Sequence, residues 1–342
     1  MRSPLATLLG AATIVAVGWG CSEVLAPGAR RFTGPTGQVI DPRCCPNGAG
    51  SGCGCPLTLV GGSNGGGDTA GIALYLERNL ICPSGLATSG GPPLLSGEPW
   101  PDSVKVYVAV DSGGEGFHLM DREIVLTIEA VDSGGSGSDS PYGHVHSGAG
   151  GLPKPKGILS ADTVNTTQAG LVTLIYNAGQ VSGPIRIRAT STGAIQNELV
   201  LAVGVPGLAA LPGRSSYVLF GATPIHPDNH YGIAAMTARL DTLADSVMGR
   251  FNRPLYFNDM SLPLGGRFDV LSNWACCHDE HRAGRDLDLR THNAGGLSAR
   301  ERQYVWAQWE RMGGTVHDET VLRSGAPNTQ NPHYHLRYRR PE

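Results

Sequence analysis

Ser103-Val104-Lys105-Val106-Tyr107-Val108-Ala109-Val110 sets a valine at every second position. Alternate side chains of an extended chain project to opposite faces, so this stretch buries one face and wets the other. The same grammar recurs downstream. Ile124, Leu126, Ile128 and Ala130 alternate with polar neighbours, Ile185, Ile187 and Ala189 alternate with Arg186 and Arg188, and Leu199, Leu201, Val203 and Val205 close the series. Repeated period-two segments of this kind predict an all-β antiparallel sandwich over 101–205.

Towards the N-terminus the pattern dissolves. Residues 26–100 are dominated by Gly, Pro, Ser and Cys and read as a low-complexity segment, the least structured part of the chain, with one short helix expected at Ala70 to Asn79. Residues 1–25 read as an export signal, with Arg2 as a minimal positive region and Leu5 to Val17 as an apolar run too short for a membrane span. Cys21 follows Val17-Gly18-Trp19-Gly20, which loosely resembles a lipoprotein cleavage site, so a lipid anchor at Cys21 and simple secretion both fit. Either route exports the protein, to the cell envelope or beyond it.

Composition agrees with this outline. The formal net charge is only -3 over 342 residues, which gives no basis for binding nucleic acid or an acidic membrane surface. Glycine (49 residues) and proline (24) are abundant while aromatics are 6%, a balance that favours turn-rich β structure. Eight cysteines suit an oxidising compartment, although lipidation of Cys21 would leave an odd number. Cys44, Cys45, Cys53 and Cys55 lack zinc-ribbon spacing, so disulfides are favoured there over metal.

Beyond the sandwich, Val205-Pro206-Gly207-Leu208-Ala209-Ala210-Leu211-Pro212-Gly213 reads as a linker centred on 206–213. The remaining segment, 214–342, changes to mixed α and β. Tyr217 to Phe220 and Pro254 to Phe257 are strand-like, and Leu240, Leu243, Ala244, Val247, Met248 and Phe251 predict an amphipathic helix over 233–251. Ser298-Ala299-Arg300-Glu301 is a capping box opening a second helix with Val305, Trp309 and Met312 on its buried face, which Gly313-Gly314 ends. His333 to Tyr338 is a final strand, completing an α+β domain.

That domain carries two histidine clusters, His278-Asp279-Glu280-His281-Arg282-Ala283-Gly284-Arg285-Asp286-Leu287-Asp288 and Pro332-His333-Tyr334-His335. On a strand His333 and His335 face one way, and Asp286, Asp288 and Arg290 share a face opposite Leu287 and Leu289. Gly284 permits a tight turn that brings His281 back beside Asp288. Two neighbouring strands can then present two imidazoles and a carboxylate to one ion, a set that leaves Zn²⁺ an open position for water.

His281-x-x-Gly284-x-x-x-Asp288 with His333-x-His335 resembles the LAS metallopeptidases, which include lysostaphin-like enzymes, D-Ala-D-Ala peptidases, murein endopeptidases and the hedgehog signalling domain. His278-x-x-His281 and Asp286 bring it nearest to the penicillin-insensitive murein endopeptidases, and Asn258 to Asp269 resembles their lead-in. The resemblance implies His281, Asp288 and His335 as Zn²⁺ ligands, His333 as the catalytic histidine and His278 as a further active-site group. It departs at Cys276-Cys277, where a proline commonly precedes the equivalent of His278. Gln168 to Tyr176, with Ala178 to Gly183 and Ile187 to Ala189, resembles bacterial Ig-like modules. The implied architecture is an Ig-like sandwich followed by a LAS metallopeptidase-like domain with a central antiparallel sheet.

Other chemistry is poorly supported. There is no HExxH and no G-x-S-x-G, a Cys276 or Cys277 thiol dyad with His278 would be unusual in an oxidising compartment, and Glu280 reads as an exposed turn carboxylate. Asp286 reads as a supporting partner. His144-Val145-His146 lies in a Gly/Ser-rich stretch without a carboxylate in ligand spacing and reads as loop. His226-Pro227-Asp228-Asn229-His230-Tyr231-Gly232 fits either substrate contact or helix capping, and His292 and His317 read as solvated loop residues. Two functions follow as expectations: an exported zinc peptidase acting on peptidoglycan peptides, or a non-catalytic surface-binding or adhesion protein with a structural zinc.

Overall fold

The computed structural model describes residues 60–63, 69–86, 101–112, 118–131, 144, 146, 148–167, 170–275, 278–293, 295–322 and 324–338. The expected signal over 1–25, the anchor at Cys21, Cys44, Cys45, Cys53 and Cys55, and the Cys276-Cys277 pair lie outside these residues. Among the described residues ten strands form the first unit: β1 (Val60–Ser63), β2 (Gly71–Leu76), β3 (Leu80–Ile81), β4 (Ser103–Asp111), β5 (Glu123–Ala130), β6 (Ile158–Leu159), β7 (Thr163–Asn165), β8 (Leu171–Asn177), β9 (Gly183–Thr190) and β10 (Asn197–Val203). They make two five-stranded sheets, ordered β1-β2-β4-β8-β6 and β3-β10-β9-β5-β7. The alternation in β4 works as its sequence requires: Val104, Val106, Val108 and Val110 enter a core shared with Ile124, Leu126, Ile185, Ile187, Leu201 and Val203.

The sandwich begins earlier than the period-two pattern suggests. The helix expected at Ala70 to Asn79 is instead strand β2, paired antiparallel with β4, with Ile72, Leu74 and Leu76 fully buried. Gly71-Ile72-Ala73-Leu74-Tyr75-Leu76 is an almost continuous apolar run, and such runs lack a period that separates a buried strand from a helix. Residues 60–63, 71–76 and 80–81 therefore belong to the sheets rather than to an unstructured 26–100 segment.

The second unit contains β11 (Leu208–Ala210), β12 (Tyr217–Leu219), β13 (Tyr231–Ile233), α1 (Ala234–Phe251), β14 (Leu255–Phe257), β15 (Asp286–Arg290), α2 (Ala299–Arg311), β16 (Gly314–Asp318) and β17 (His333–Tyr338). Part of the expected 206–213 linker is strand β11, which pairs with β13, because Leu208 packs beside Ala283 and Val205 instead of crossing solvent. The main sheet runs β12-β14-β15-β17-β16. It is mixed rather than purely antiparallel, since α1 carries the chain over from β12 to a parallel β14.

Both helices cover one face of this sheet. Met236, Leu240, Leu243, Ala244 and Val247 of α1 and Val305 and Trp309 of α2 pack with Leu255, Phe257, Leu287, Leu289 and Leu336. The capping box forms as its sequence implies: Ser298 Oγ accepts from the Glu301 amide at 3.3 Å, and Glu301 Oε2 accepts from the Ser298 amide at 2.7 Å. No helix among the described residues is long and apolar enough to cross a membrane.

The two units are joined by the stretch after β14. The Val205 amide donates to the Leu264 carbonyl at 2.8 Å, the Arg267 amide to the Gln180 carbonyl at 2.8 Å, and Ser182 Oγ to the Gly265 carbonyl at 2.6 Å. Gly266 sits at φ 77°, where a Cβ would come within 3.0 Å of the Gln180 oxygen and the Ser182 nitrogen. Only glycine lets the backbones meet this closely. If β2 is core, Leu74→Ala should cost about 3 kcal/mol in urea unfolding, the usual order for a buried leucine; a change near zero would return this segment to a tether.

Candidate metal centre

On the face opposite the helices the alternation predicted for β15 and β17 aligns the polar residues. Their register sets Asp288 against His335, Arg290 against His333 and Asp286 against Arg337. Leu287 and Leu289 point into the helix-covered core, so Asp288 faces the other way and is nevertheless buried. His281 arrives from a short 3-10 turn, Asp279–Ala283, that ends at Gly284 with φ 64°. A Cβ there would collide with Leu208 and approach Gly232 Cα at 2.9 Å, so the sharp return that brings His281 to Asp288 requires glycine.

Five predicted residues meet in this space. His281 Nε2 is 3.2 Å and His335 Nδ1 2.8 Å from Asp288 Oδ1, while His333 Nε2 is 3.5 Å from Asp288 Oδ2 and 3.2 Å from His335 Nε2. The His278 ring lies 5.3 Å from that of His281. Two overlapping sets, His278/His281/Asp288 and Asp288/His333/His335, are compact enough to hold a metal ion, and the expected His281/Asp288/His335 set takes members of both.

The donor chemistry fits a cation. Both His281 ring nitrogens, His335 Nδ1 and Asp288 Oδ1 are buried without a hydrogen bond. Nitrogen and carboxylate donors at these separations match the roughly 3.3 Å edge of a tetrahedron with ~2.0 Å bonds. Without an ion the group balances charge with protons. Burial alone would lower His281, but the Asp288 carboxylate, followed by Asp286 and Asp259, lifts it to about 9. Burial would raise Asp288, and the His281 and His335 imidazoles hold it instead well below the carboxylate range. Burial, then the charge of His281, takes His278 down to about 4, so it is neutral at physiological pH.

His333 is oriented differently from its neighbours. Its Nδ1–H donates to the Asn331 carbonyl at 2.6 Å, which turns Nε2 towards the cluster, 3.2 Å from His335 Nε2. Glu280 forms an ion pair with Arg337 and reaches to 3.4 Å from His335 Nδ1, so it helps position His335 instead of standing alone in solvent. Asp286 lies 3.6 Å from Arg337 Nε, and burial raises its carboxyl to about 6.

Two contributors escaped sequence reasoning. Glu319, just past β16, has Oε1 3.2 Å from His335 Nε2 and Oε2 3.4 Å from His333 Nε2. No motif includes it; only the β16 and β17 pairing delivers it. Asp259, inside the lead-in, is pushed up to about 6 by burial and then by Asp288, and it accepts a 2.6 Å hydrogen bond from Asn229 Nδ2. His317 lies on strand β16 opposite His335, exposed, rather than in a loop.

The remaining histidines fall as follows. Asn229 and His230 are buried, with His230 Nε2 3.2 Å from the Phe257 carbonyl, and α1 starts after Ile233 without a side-chain cap. His226 lies apart from the Asp288 cluster, against Asp269. His144 and His146 do have a carboxylate partner, the same Asp269, which sequence spacing could not reveal because it arrives from the other unit.

No family model and no curated protein matches the chain in sequence. Among solved structures it is similar to a glycosyl hydrolase family 2 member from Bacteroides cellulosilyticus (19% identity, TM-score 0.25, covering 40% of this chain and 14% of that one). It is also similar to the D00-D0 domain of intimin (11%, TM-score 0.23, 41% and 52%) and to the Yersinia pseudotuberculosis adhesin InvE (8%, TM-score 0.29, 59% and 63%). The chain spans less than two thirds of each of these proteins.

A pH dependence follows from the charge balance. His281 is raised in the folded protein from 6.5 to about 9, so its pairing with Asp288 stabilises the metal-free protein fully below pH 6.5, and that contribution is lost as pH rises through 9. Metal must displace this proton. Zinc titration calorimetry at pH 7 in buffers of different ionisation enthalpy should register release of about one proton or more per ion at this centre; binding without proton release would contradict the paired arrangement.

Proposed function

We propose that the protein is an exported zinc-dependent peptidase that hydrolyses peptide bonds of cell-wall peptidoglycan. The observation that carries the reading is the division of labour around Asp288. His281, Asp288 and His335 converge with buried donor atoms free of hydrogen bonds, whereas His333 has one nitrogen fixed by Asn331 and the other turned inward. That division agrees with the LAS-type motif, and an N-terminal Ig-like sandwich would position the catalytic unit in the envelope. Lipidation of Cys21 would anchor it there.

His281, Asp288 and His335 would hold zinc, which would supply Lewis acidity and make water acidic enough to act as a nucleophile near neutral pH. The chain's own groups do the rest. His333 Nε2 is placed to take a proton from the attacking water and return it to the leaving amine. Glu319 Oε2, 3.4 Å from His333 Nε2, orients the imidazole for this transfer. His278, neutral and against Phe268, can donate a hydrogen bond to oxygen developing negative charge. A purely structural zinc would gain nothing from the inward Nε2 of His333, which counts against the binding-protein reading.

Purified muropeptides incubated with the zinc-loaded chain should be cut. His333→Ala should keep its zinc and lose roughly a hundredfold or more in kcat/KM, the usual scale of a general base. His281→Ala and His335→Ala should lose both activity and the ion. Muropeptide profiles left unchanged by the wild-type protein, in a preparation carrying zinc at this centre, would overturn the proposal.

A further inference from the structure

A second cluster of donors lies away from Asp288, where the two units meet. Asp269 is fully buried. Its Oδ2 accepts the Trp274 amide at 2.8 Å, which leaves Oδ1 facing three imidazoles. His144 Nε2 is 3.3 Å, His146 Nε2 3.2 Å and His226 Nε2 3.6 Å from that one oxygen. His226 Nε2 also lies 2.8 Å from the Asp269 carbonyl. Neither ring nitrogen of His144 makes a hydrogen bond although the residue is buried, and Asp269 Oδ1 makes none either.

Burying the His144 imidazole and the Asp269 carboxylate oxygen is costly unless something satisfies them. The His144 and His146 contacts to Oδ1 are close to the roughly 3.3 Å donor separation of tetrahedral zinc. The rings meet edge to face, His144 to His146 at 74°, His144 to His226 at 80° and His146 to His226 at 83°. One ligand atom from each of His144, His146, His226 and Asp269 lies within 4.8 Å of the others. Hard cations such as Ca²⁺ and Mg²⁺ take oxygen ligands, so a set of three nitrogens and one oxygen selects zinc or a similar borderline divalent ion.

We infer that His144, His146, His226 and Asp269 form a second zinc site, closed by four protein ligands and structural in role. It fastens the sandwich, which contributes His144 and His146, to the C-terminal unit, which contributes His226 and Asp269. Trp274 covers it, stacked on His146 at 4.5 Å. Phe268 divides it from the first centre, with its ring 4.8 Å from His226 on one side and 5.2 Å from His278 on the other. Zinc here would therefore also brace the wall against which His278 rests.

The test is metal counting on the full chain. After zinc loading and gel filtration, elemental analysis should find about two equivalents in the wild type. About one should remain in His144→Ala/His146→Ala, and about one in His281→Ala/His335→Ala, so that each loss is assigned to its own cluster whether or not the first centre is catalytic. A zinc content unchanged by His144→Ala/His146→Ala would overturn the inference. Should that variant fail to fold, Co²⁺ titration of His281→Ala/His335→Ala decides: the visible absorption of tetrahedral Co²⁺ should saturate at about one equivalent, and no such absorption would overturn the site.

Discussion

The buried Asp288 carboxylate is the constraint from which the C-terminal unit is built. A carboxylate removed from water is strongly unfavourable unless charge and hydrogen-bond partners come with it. The β15 and β17 register brings His335 directly across, and the Gly284 turn returns His281 to the same oxygen. The backbone of the preceding segment holds the carboxylate's strand in place, with the Asp288 amide donating to the Asp259 carbonyl at 2.9 Å and the Asn258 amide to the Asp288 carbonyl at 2.7 Å. Everything polar on this face is arranged around that charge, and everything apolar on the opposite face is arranged under the two helices.

The stretch after β14 ties the remaining architecture together. Its first residues brace Asp288, its glycines meet the sandwich edge-on, and its end delivers Phe268, Asp269 and Trp274. A single connection thus serves both histidine clusters and the junction between units. Loops that carry function on rigid scaffolds commonly do so because their backbone can take conformations that strands and helices cannot.

The sequence was most legible where the information is local. Period two in β4, β5 and β9, period 3.6 in α1 and the Ser298 to Glu301 box each specify an element within a few residues, and all of them form. The Asp288 cluster was legible for the same reason: Asp288, His333 and His335 sit on strands whose facing is fixed by alternation, and His278 and His281 on the short turn that leads into β15. β2 was not, because a fully buried strand lacks the alternation that identifies it. The His144, His146, His226 and Asp269 group was not, because its members come from three separate segments with no shared spacing, and Glu319 reaches the first centre only through strand pairing. What fails to be read is long-range meeting, not local form.

The central claim is that His281, Asp288 and His335 hold zinc while His333 stands beside it. Anomalous diffraction at the zinc edge from crystals of the zinc-loaded chain tests this directly. The account predicts a peak about 2.0–2.2 Å from a nitrogen of His281, a nitrogen of His335 and an oxygen of Asp288, with His333 Nε2 outside bonding distance. No peak near Asp288, or one coordinated by His333 in place of His281, would contradict it.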